Sequence, residues 1–239
     1  MEERNLISDH FDAAGKKEVV KFLKGYVTTH KQQLIEKVLN QRTRFITLVM
    51  EDIFKPHNAS AVIRTAECLG VQDIHIIEKS NQYKPNPWVL RGALKWMSVH
   101  HYAHEKQNSS EICFNSLKEQ GYEIVAADVT ENSIPLPELE VTGKTALVMG
   151  TEHTGISDYV RENADKLVTI PMSGFTESFN VSVSAAICLN HLLAEIRKKE
   201  LAWQLSEEEK EELRYEWYKN IPTHAVSLVN HYVKQNKME

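Results

Sequence analysis

The sequence has few cysteines, few glycines and no long apolar run, and each shortage excludes a class of protein. Its three cysteines (Cys68, Cys113 and Cys188) stand far apart and are odd in number. That argues against a disulfide framework and against a cysteine-based zinc site. Nine glycines in 239 residues leave no glycine-rich disordered tail. No stretch approaches the roughly 18 to 20 consecutive apolar residues of a membrane span. The opening MEERNLISDH is acidic and polar, with no secretory h-region. The expectation is a soluble, cytoplasmic protein of a reducing compartment, with no membrane partner.

Motifs are missing as well. There is no G-x-G-x-x-G and no Gly-Lys-Ser/Thr, so a phosphate-cradling nucleotide loop is disfavoured. No G-x-S-x-G occurs, so a hydrolase nucleophile elbow is absent. Excess positive charge is missing too: the net charge is −5, which argues against generic nucleic-acid binding. Its distribution is uneven. Residues 1–48 hold nine Lys/Arg against six Asp/Glu, residues 49–194 eleven against eighteen, and residues 195–239 eight against nine. A polyanion would meet the N-terminal segment and local arginines, not the whole surface.

What is present is a chain long enough, with 42% hydrophobic residues, to bury a sizeable core. Val20, Leu23 and Val27, then Leu34, Ile35, Val38 and Leu39, have helical spacing over about 16–40. Short apolar runs follow at RFITLVMEDI, GVQDIHIIEK, EQGYEIVAADV, KTALVMGTE and KLVTIPM, separated by helical patterns. Strands that are apolar throughout and alternate with helices indicate an α/β domain with a mainly parallel sheet. It is expected over 44–198, between an N-terminal helical extension (1–43) and a C-terminal one (199–239). The latter opens on a capping box, Ser206 with Glu209, and carries Leu213 and Trp217 at i, i+4.

Three segments sit where a strand ends and a polar turn begins, the place where ligands collect in open α/β sheets. In HNASAVIRTAECLG, Asn58 reads as an N-cap, and Arg64 projects from a patch of Ser60, Ala61 and Cys68. The ordinary alternative for Arg64 is an exposed arginine paired with Glu67. In LVMGTEHTGIS, Gly150 lets a ligand approach the backbone and Gly155 permits a tight turn, with Glu152 between them. The alternative is a plain strand-to-helix turn capped by Ser157. In IPMSGFTESFNVSVSAAICL, a loop presents Ser173, Thr176, Glu177, Ser178 and Asn180 before a helix of small residues. HHYAH (His100, His101, His104) has spacing that would suit a metal on a helix, but a surface histidine cluster is the better reading and no metal is expected. GALKWM joins Lys95 to Trp96, which could touch nucleic acid or lie in the core.

Taken together, the three segments resemble the motifs of the SpoU (TrmH) branch of the SPOUT superfamily of RNA methyltransferases. The first is Asn58 to Arg64 after a strand. The second is Gly150, Glu152, Gly155 and Ser157. The third is Ile170-Pro171-Met172 followed by Ser178-Phe179-Asn180-Val181-Ser182. The flanks QRTRFITLVME, GALKWM and LSEEEKEELRYEW look most like those of tRNA (guanosine-2′-O)-methyltransferases. Departures are His153-Thr154, where relatives often carry Lys-Trp, and Phe179 where Leu is usual.

The resemblance implies a parallel sheet whose C-terminal part is tied in a deep trefoil knot, a homodimer, and S-adenosyl-L-methionine as cofactor. It implies methylation of a ribose 2′-hydroxyl, that of the D-loop guanosine of tRNA. Arg64 is then implicated in activating the hydroxyl, either as a base or as a charge, with Asn58 orienting it. Glu152, Ser178 and Asn180 shape the site. Asp128, Gly150, Thr151, Ile170, Met172, Phe179 and Asn180 would hold the cofactor, and Arg42, Arg44 and Lys95 would contact RNA. Ribosomal RNA is an alternative substrate. The roughly 43 residues before the first strand, too few for a separate RNA-binding domain, favour tRNA. A non-catalytic RNA-binding protein on the same scaffold is the third reading.

Overall fold

The apolar runs become strands of one parallel sheet in the computed structural model, which describes residues 11–103, 107–152, 154–199 and 201–236. Strand β1 (Ile46–Glu51) lies near the middle. It leads through α3 (Pro56–Leu69) to β2 (Asp73–Ile77), then through the one-turn α4 (Pro87–Leu90) to β3 (Ser98–Tyr102). Next come α5 (Ser109–Glu119), β4 (Glu123–Ala127), the two-residue β5 (Ile134–Pro135) and β6 (Thr145–Met149). The domain closes with α6 (Asp158–Asn163), β7 (Lys166–Thr169) and α7 (Val181–Lys198). Strand order is β3-β2-β1-β6-β4-β7-β5, and every pairing is parallel.

β1, β2 and β6 are buried along their whole length because helices cover both faces. Alternation divides their side chains. Leu48, Met50, Leu147 and Met149 face a core with Val62 and Ile63 of α3 and Cys188 and Leu192 of α7. Val49 and Val148 face the opposite core, with Phe114 and Leu117 of α5 and Val160 of α6. Burial explains the state of two cysteines: the Cys113 and Cys188 thiols are each pushed up to about 12.

Residues Thr43–Gln204 form one compact unit. The segments on either side, expected as two extensions, form a single helical unit together. The helical spacing over 16–40 forms two helices, α1 (Ala13–Lys24) and α2 (Thr29–Leu39). Thr28 starts the second by accepting a hydrogen bond from Lys31 N at 3.3 Å. They pack with α8 (Glu207–Lys219) and with α9 (Ala225–Asn236), a helix the sequence reading did not foresee. Both bonds of the Ser206–Glu209 capping box are present. Arg214 forks onto Glu36, with nitrogen–oxygen distances of 2.8 to 3.0 Å.

Among the described residues, no helix is long and apolar enough to cross a membrane.

Candidate active site

The turn after β1 is built from carboxylates. Asp52 adopts a left-handed backbone, φ 52°, and its Oδ1 accepts hydrogen bonds from the amides of Lys79, Ser80 and Asn81 at 2.9, 2.9 and 2.8 Å. The loop after β2 is thereby fixed to the turn after β1. The chain then enters α3 at Pro56, the first helical residue. Lys55 occupies the N-cap position but makes no side-chain cap bond. Glu152, from the loop after β6, supplies what is missing. Its carboxylate accepts from the backbone N–H of Phe54 at 3.3 Å and of Lys55 at 3.4 Å. A negative charge is favoured at a helix N-terminus by the aligned peptide dipoles.

Asn58 is therefore not the N-cap that its position in the motif predicts. Because Pro56 begins the helix, Asn58 falls in the first helical turn, and its side chain turns to the neighbouring loops. Its amide Nδ2 donates to Glu152 Oε1 at 2.7 Å, and its Oδ1 accepts from Asn180 Nδ2 at 3.3 Å. An ionised carboxylate can only accept, so Glu152 fixes which way the Asn58 amide points. Asn180 is the N-cap of α7, and its Oδ1 accepts from Ser182 N at 2.9 Å and from Ser182 Oγ at 2.6 Å. One hydrogen-bonded relay thus joins α3, the loop after β6 and the start of α7.

The loop after β6 closes on itself. Thr151 N donates to Gly155 O at 2.9 Å, and the hydroxyls of Thr151 and Thr154 lie 2.7 Å apart. Gly155 has φ 68°, the tight turn expected of it. Gly150 has a different reason from the one expected. A Cβ there would lie 2.3 Å from the Gly155 carbonyl group and 2.4 Å from Ile156 N, so the close approach is made by the chain's own backbone.

Ser157 ends this loop and caps α6, accepting from Val160 N at 3.4 Å. Its own N–H and hydroxyl donate to Glu51 at 2.8 and 2.7 Å. Glu51, only 2% exposed, also accepts from Lys79 Nζ at 2.6 Å and Ser110 Oγ at 2.9 Å. Burial pushes this carboxyl up, but the Lys79 ammonium and the Ser157 donors outweigh it and hold it below its ordinary 4.5. Glu51, Asp52 and Lys79 were not singled out from the sequence. The one available signal was an acid ending an otherwise apolar buried strand, RFITLVME.

These loops wall a cavity of about 570 Å³ at the carboxyl ends of β4, β6 and β7. Asn58, Glu152, Ser178 and Asn180 line it, as do Asp128, Gly150, Thr151, Ile170, Met172 and Phe179. The volume is that of a small-molecule site. Its lining combines Met149, Val168 and half-exposed Phe179 with the carboxylates of Asp128, Glu152 and Glu177 and the single ammonium of Lys55. That set fits S-adenosylmethionine, which joins a flat aromatic base to a cationic sulfonium. Asp128 is held in place by Arg161, whose Nε donates to its Oδ2 at 2.8 Å.

The model of the SpoU rRNA Methylase family matches residues 45–190, which contain the whole cavity. The chain belongs to this family. A tRNA (guanosine(18)-2′-O)-methyltransferase of Borreliella burgdorferi is 43% identical over 199 residues, 83% of this chain and 89% of the relative. The enzyme of that name from Thermus thermophilus is 34% identical over 68% of this chain and 81% of its own length. Among solved structures, the A. aeolicus TrmH/SpoU tRNA modifying enzyme superposes with a TM-score of 0.72 at 27% identity, covering 81% of this chain and 98% of that one.

Not every SpoU motif residue reaches the cavity. Arg64 lies in a second groove of about 520 Å³, lined by Ala61, Thr65 and Cys68 of α3, Ala186 and Asn190 of α7, and Val89. Among the described residues its guanidinium has one long hydrogen bond, Nη1 to Val89 O at 3.5 Å. Arg64 stands six positions along the helix from Asn58, about 9 Å of rise and a third of a turn away in direction. Asn58 therefore does not orient Arg64; it is engaged with Glu152 and Asn180.

The expected RNA contacts also divide. Arg42 is 1% exposed, with its guanidinium 5.4 Å over the Trp217 ring, so it is a buried packing group and not a phosphate ligand. Arg44 Nε donates to Asp73 Oδ2 at 2.8 Å, which commits it to a carboxylate. Lys95 is exposed, on the 3₁₀ turn Ala93–Trp96. Of HHYAH, His100 and His101 lie on β3, not on a helix, and His104 is outside the described residues, as is His153. The register Asp73 to Ser98 and His75 to His100 brings a carboxylate beside His100, at 3.1 Å, which no local pattern shows. His75, stacked on His100 at 4.6 Å, is pushed down to about 4 by burial and by that neighbour.

Proposed function

We propose that this chain transfers a methyl group from S-adenosylmethionine to the 2′-hydroxyl of a guanosine ribose in the D-loop of tRNA. The observation that carries the proposal is the relay Asn180–Asn58–Glu152, which joins all three SpoU motifs beside one cavity of cofactor size. The names of the relatives above give the substrate class. The reading places the protein in the cytoplasm, with its RNA.

When bound, the cofactor supplies an electrophilic methyl group on a good leaving group. The rest belongs to this chain. Glu152 and Asn58 hold the start of α3 against the cofactor loop, and Asn180 holds the start of α7 against both, so the cavity is preorganised. Asp128 carries a fixed negative charge at the end of β4, and Gly150 keeps the floor of the loop tight. Arg64 acts through its planar guanidinium fork, which matches phosphate geometry. It binds an RNA phosphate and stabilises charge developing on the 2′-oxygen.

The homodimer and the trefoil knot belong to the same proposal. Supporting the dimer, Arg64 sits outside its own chain's cavity, in an open groove of small residues on α3 and α7 that a second copy could cover. Supporting the knot, the loops after β6 and β7, strands on either side of β4, wall the same cavity.

Labelled S-adenosylmethionine with separate tRNA and rRNA pools, run with wild type and Arg64→Ala, tests this reading. Label should enter tRNA with wild type only, while Arg64→Ala keeps cofactor binding. Label in rRNA alone, in neither pool, or undiminished with Arg64→Ala overturns it.

A further inference from the structure

The turn that receives Arg64 also presents an unpartnered tryptophan. Of the four tryptophans, Trp217 is buried and Trp96 and Trp203 are half-buried, whereas Trp88 is 82% exposed. Among the described residues its ring has no aromatic or cationic neighbour and its indole N–H has no acceptor. Leaving a large apolar ring in water forgoes the gain of burying it, so this position offers the fold nothing.

The support beneath it is nevertheless built. Asn86 Oδ1 accepts from Trp88 N at 3.1 Å and from Val89 N at 3.4 Å, and Pro87 opens the turn. Asn86 N donates to Ser60 Oγ of α3 at 2.9 Å, and Leu90 is buried. Arg91 and Gly92, both left-handed with φ 50° and 86°, stop the turn after one revolution. Trp88 is thus held on a rigid step, with no packing of its own. Val89 O, which holds Arg64 Nη1, belongs to the next residue, and consecutive Cα atoms are about 3.8 Å apart.

The surroundings are cationic in an acidic chain. Residues 84–97 contain Lys84, Arg91 and Lys95 and no acid, where the whole chain is at −5. Lys84, Arg91 and Lys95 are exposed. An exposed aromatic face among cations is how proteins grip unpaired nucleotides, with stacking to hold the base and charge to hold the backbone. A protein–protein contact is favoured less, because interface cores are depleted in lysine.

We propose that Trp88 is a stacking platform for an unpaired base of the substrate RNA, adjacent to the nucleotide that Arg64 contacts. This rests on the RNA methyltransferase reading above and adds a substrate-positioning residue that the family motifs do not contain.

The test uses the full chain with Trp88→Ala, Trp88→Phe and Trp88→Leu, measuring methyl transfer to tRNA at saturating cofactor and the quenching of tryptophan emission by tRNA. Trp88→Ala should raise the KM for tRNA about 10-fold or more, within the roughly 5- to 150-fold range of one lost stack. Cofactor affinity should not change. Phe should restore most of the loss and Leu should not, since Leu is apolar but has no flat face. Quenching by tRNA should shrink in Trp88→Phe. An unchanged tRNA KM in Trp88→Ala, or equal rescue by Leu and Phe, overturns the proposal. So does a Trp88→Ala protein that falls from dimer to monomer in sedimentation with its RNA affinity intact, which would assign the ring to a second copy. A wild-type protein that transfers no methyl group, yet shows Trp88-dependent quenching by tRNA, would defeat the methyltransferase reading and sustain this one.

Discussion

The Asn58 side-chain amide donates to Glu152 Oε1 at 2.7 Å, across 94 positions of sequence, and that bond links the helix after β1 to the loop after β6. It is charge-assisted and part-buried, the class whose loss costs about 1.5–3 kcal/mol. Glu152→Ala also leaves the Phe54 and Lys55 amides without their acceptor. Glu152→Gln keeps one acceptor for Asn58 and should be milder. Denaturant unfolding of Asn58→Ala, Glu152→Ala and the double variant should show non-additive losses, with cofactor affinity falling in the same order. Additive effects would mean that the pair is not coupled.

Gly150→Ala should be severe although only a methyl group is added. The new Cβ would meet Gly155 backbone at 2.3 Å, and backbone cannot step aside as a flexible side chain can. Cofactor affinity should fall at least about 10-fold as the loop is pushed open. Gly143→Ala is the control, because nothing lies within 4 Å of that position. Equal calorimetric affinities for the two variants would contradict the loop-closure role.

Glu51→Gln should destabilise the domain by about 3 kcal/mol, since it leaves Lys79 facing a neutral amide in a buried network. The pH dependence has a definite sign. A carboxylate held below its ordinary 4.5 stabilises the fold fully above that pH, and the contribution disappears as pH falls through the lowered value. Wild type and Glu51→Gln should therefore converge in stability below pH 4.5. A constant gap across pH 3–7 would exclude Glu51 as the source.

His75 acts in a higher window. In the unfolded chain it takes up a proton near its ordinary 6.5, whereas the folded chain resists until about 4. The folded state therefore loses stability as pH falls from 6.5 towards 4, by up to about 3 kcal/mol. His75→Gln should flatten that part of the stability–pH curve. Urea unfolding at half-unit pH steps would show it, and an unchanged slope would refute it.

The sheet was legible because β1, β2 and β6 carry apolar residues on both faces, a pattern that only a two-sided burial makes sense of. β3 was not: Ser98–Tyr102 is an edge strand with half-exposed, histidine-rich residues, so its period carried no core signal. The motif residues around the cavity were legible from resemblance, but their bonding was not. Asn58 read as a cap until Pro56 was seen to start the helix two residues earlier. Gly150 read as room for a ligand, because sequence cannot show that a loop returns upon its own backbone. Arg42 read as an RNA contact because an arginine is normally exposed. Its burial against Trp217 depends on a partner 175 positions away. Arg64 kept its place in the motif, yet the turn of α3 carries it to another groove.

The most direct measurement uses two tRNA transcripts that differ at one atom, with the D-loop target guanosine carrying either a ribose 2′-hydroxyl or 2′-hydrogen. Methyl transfer from labelled S-adenosylmethionine should be complete at that nucleotide in the first and absent from the second. Equal labelling of both transcripts, which would place the methyl group on a base or on another nucleotide, would contradict the account.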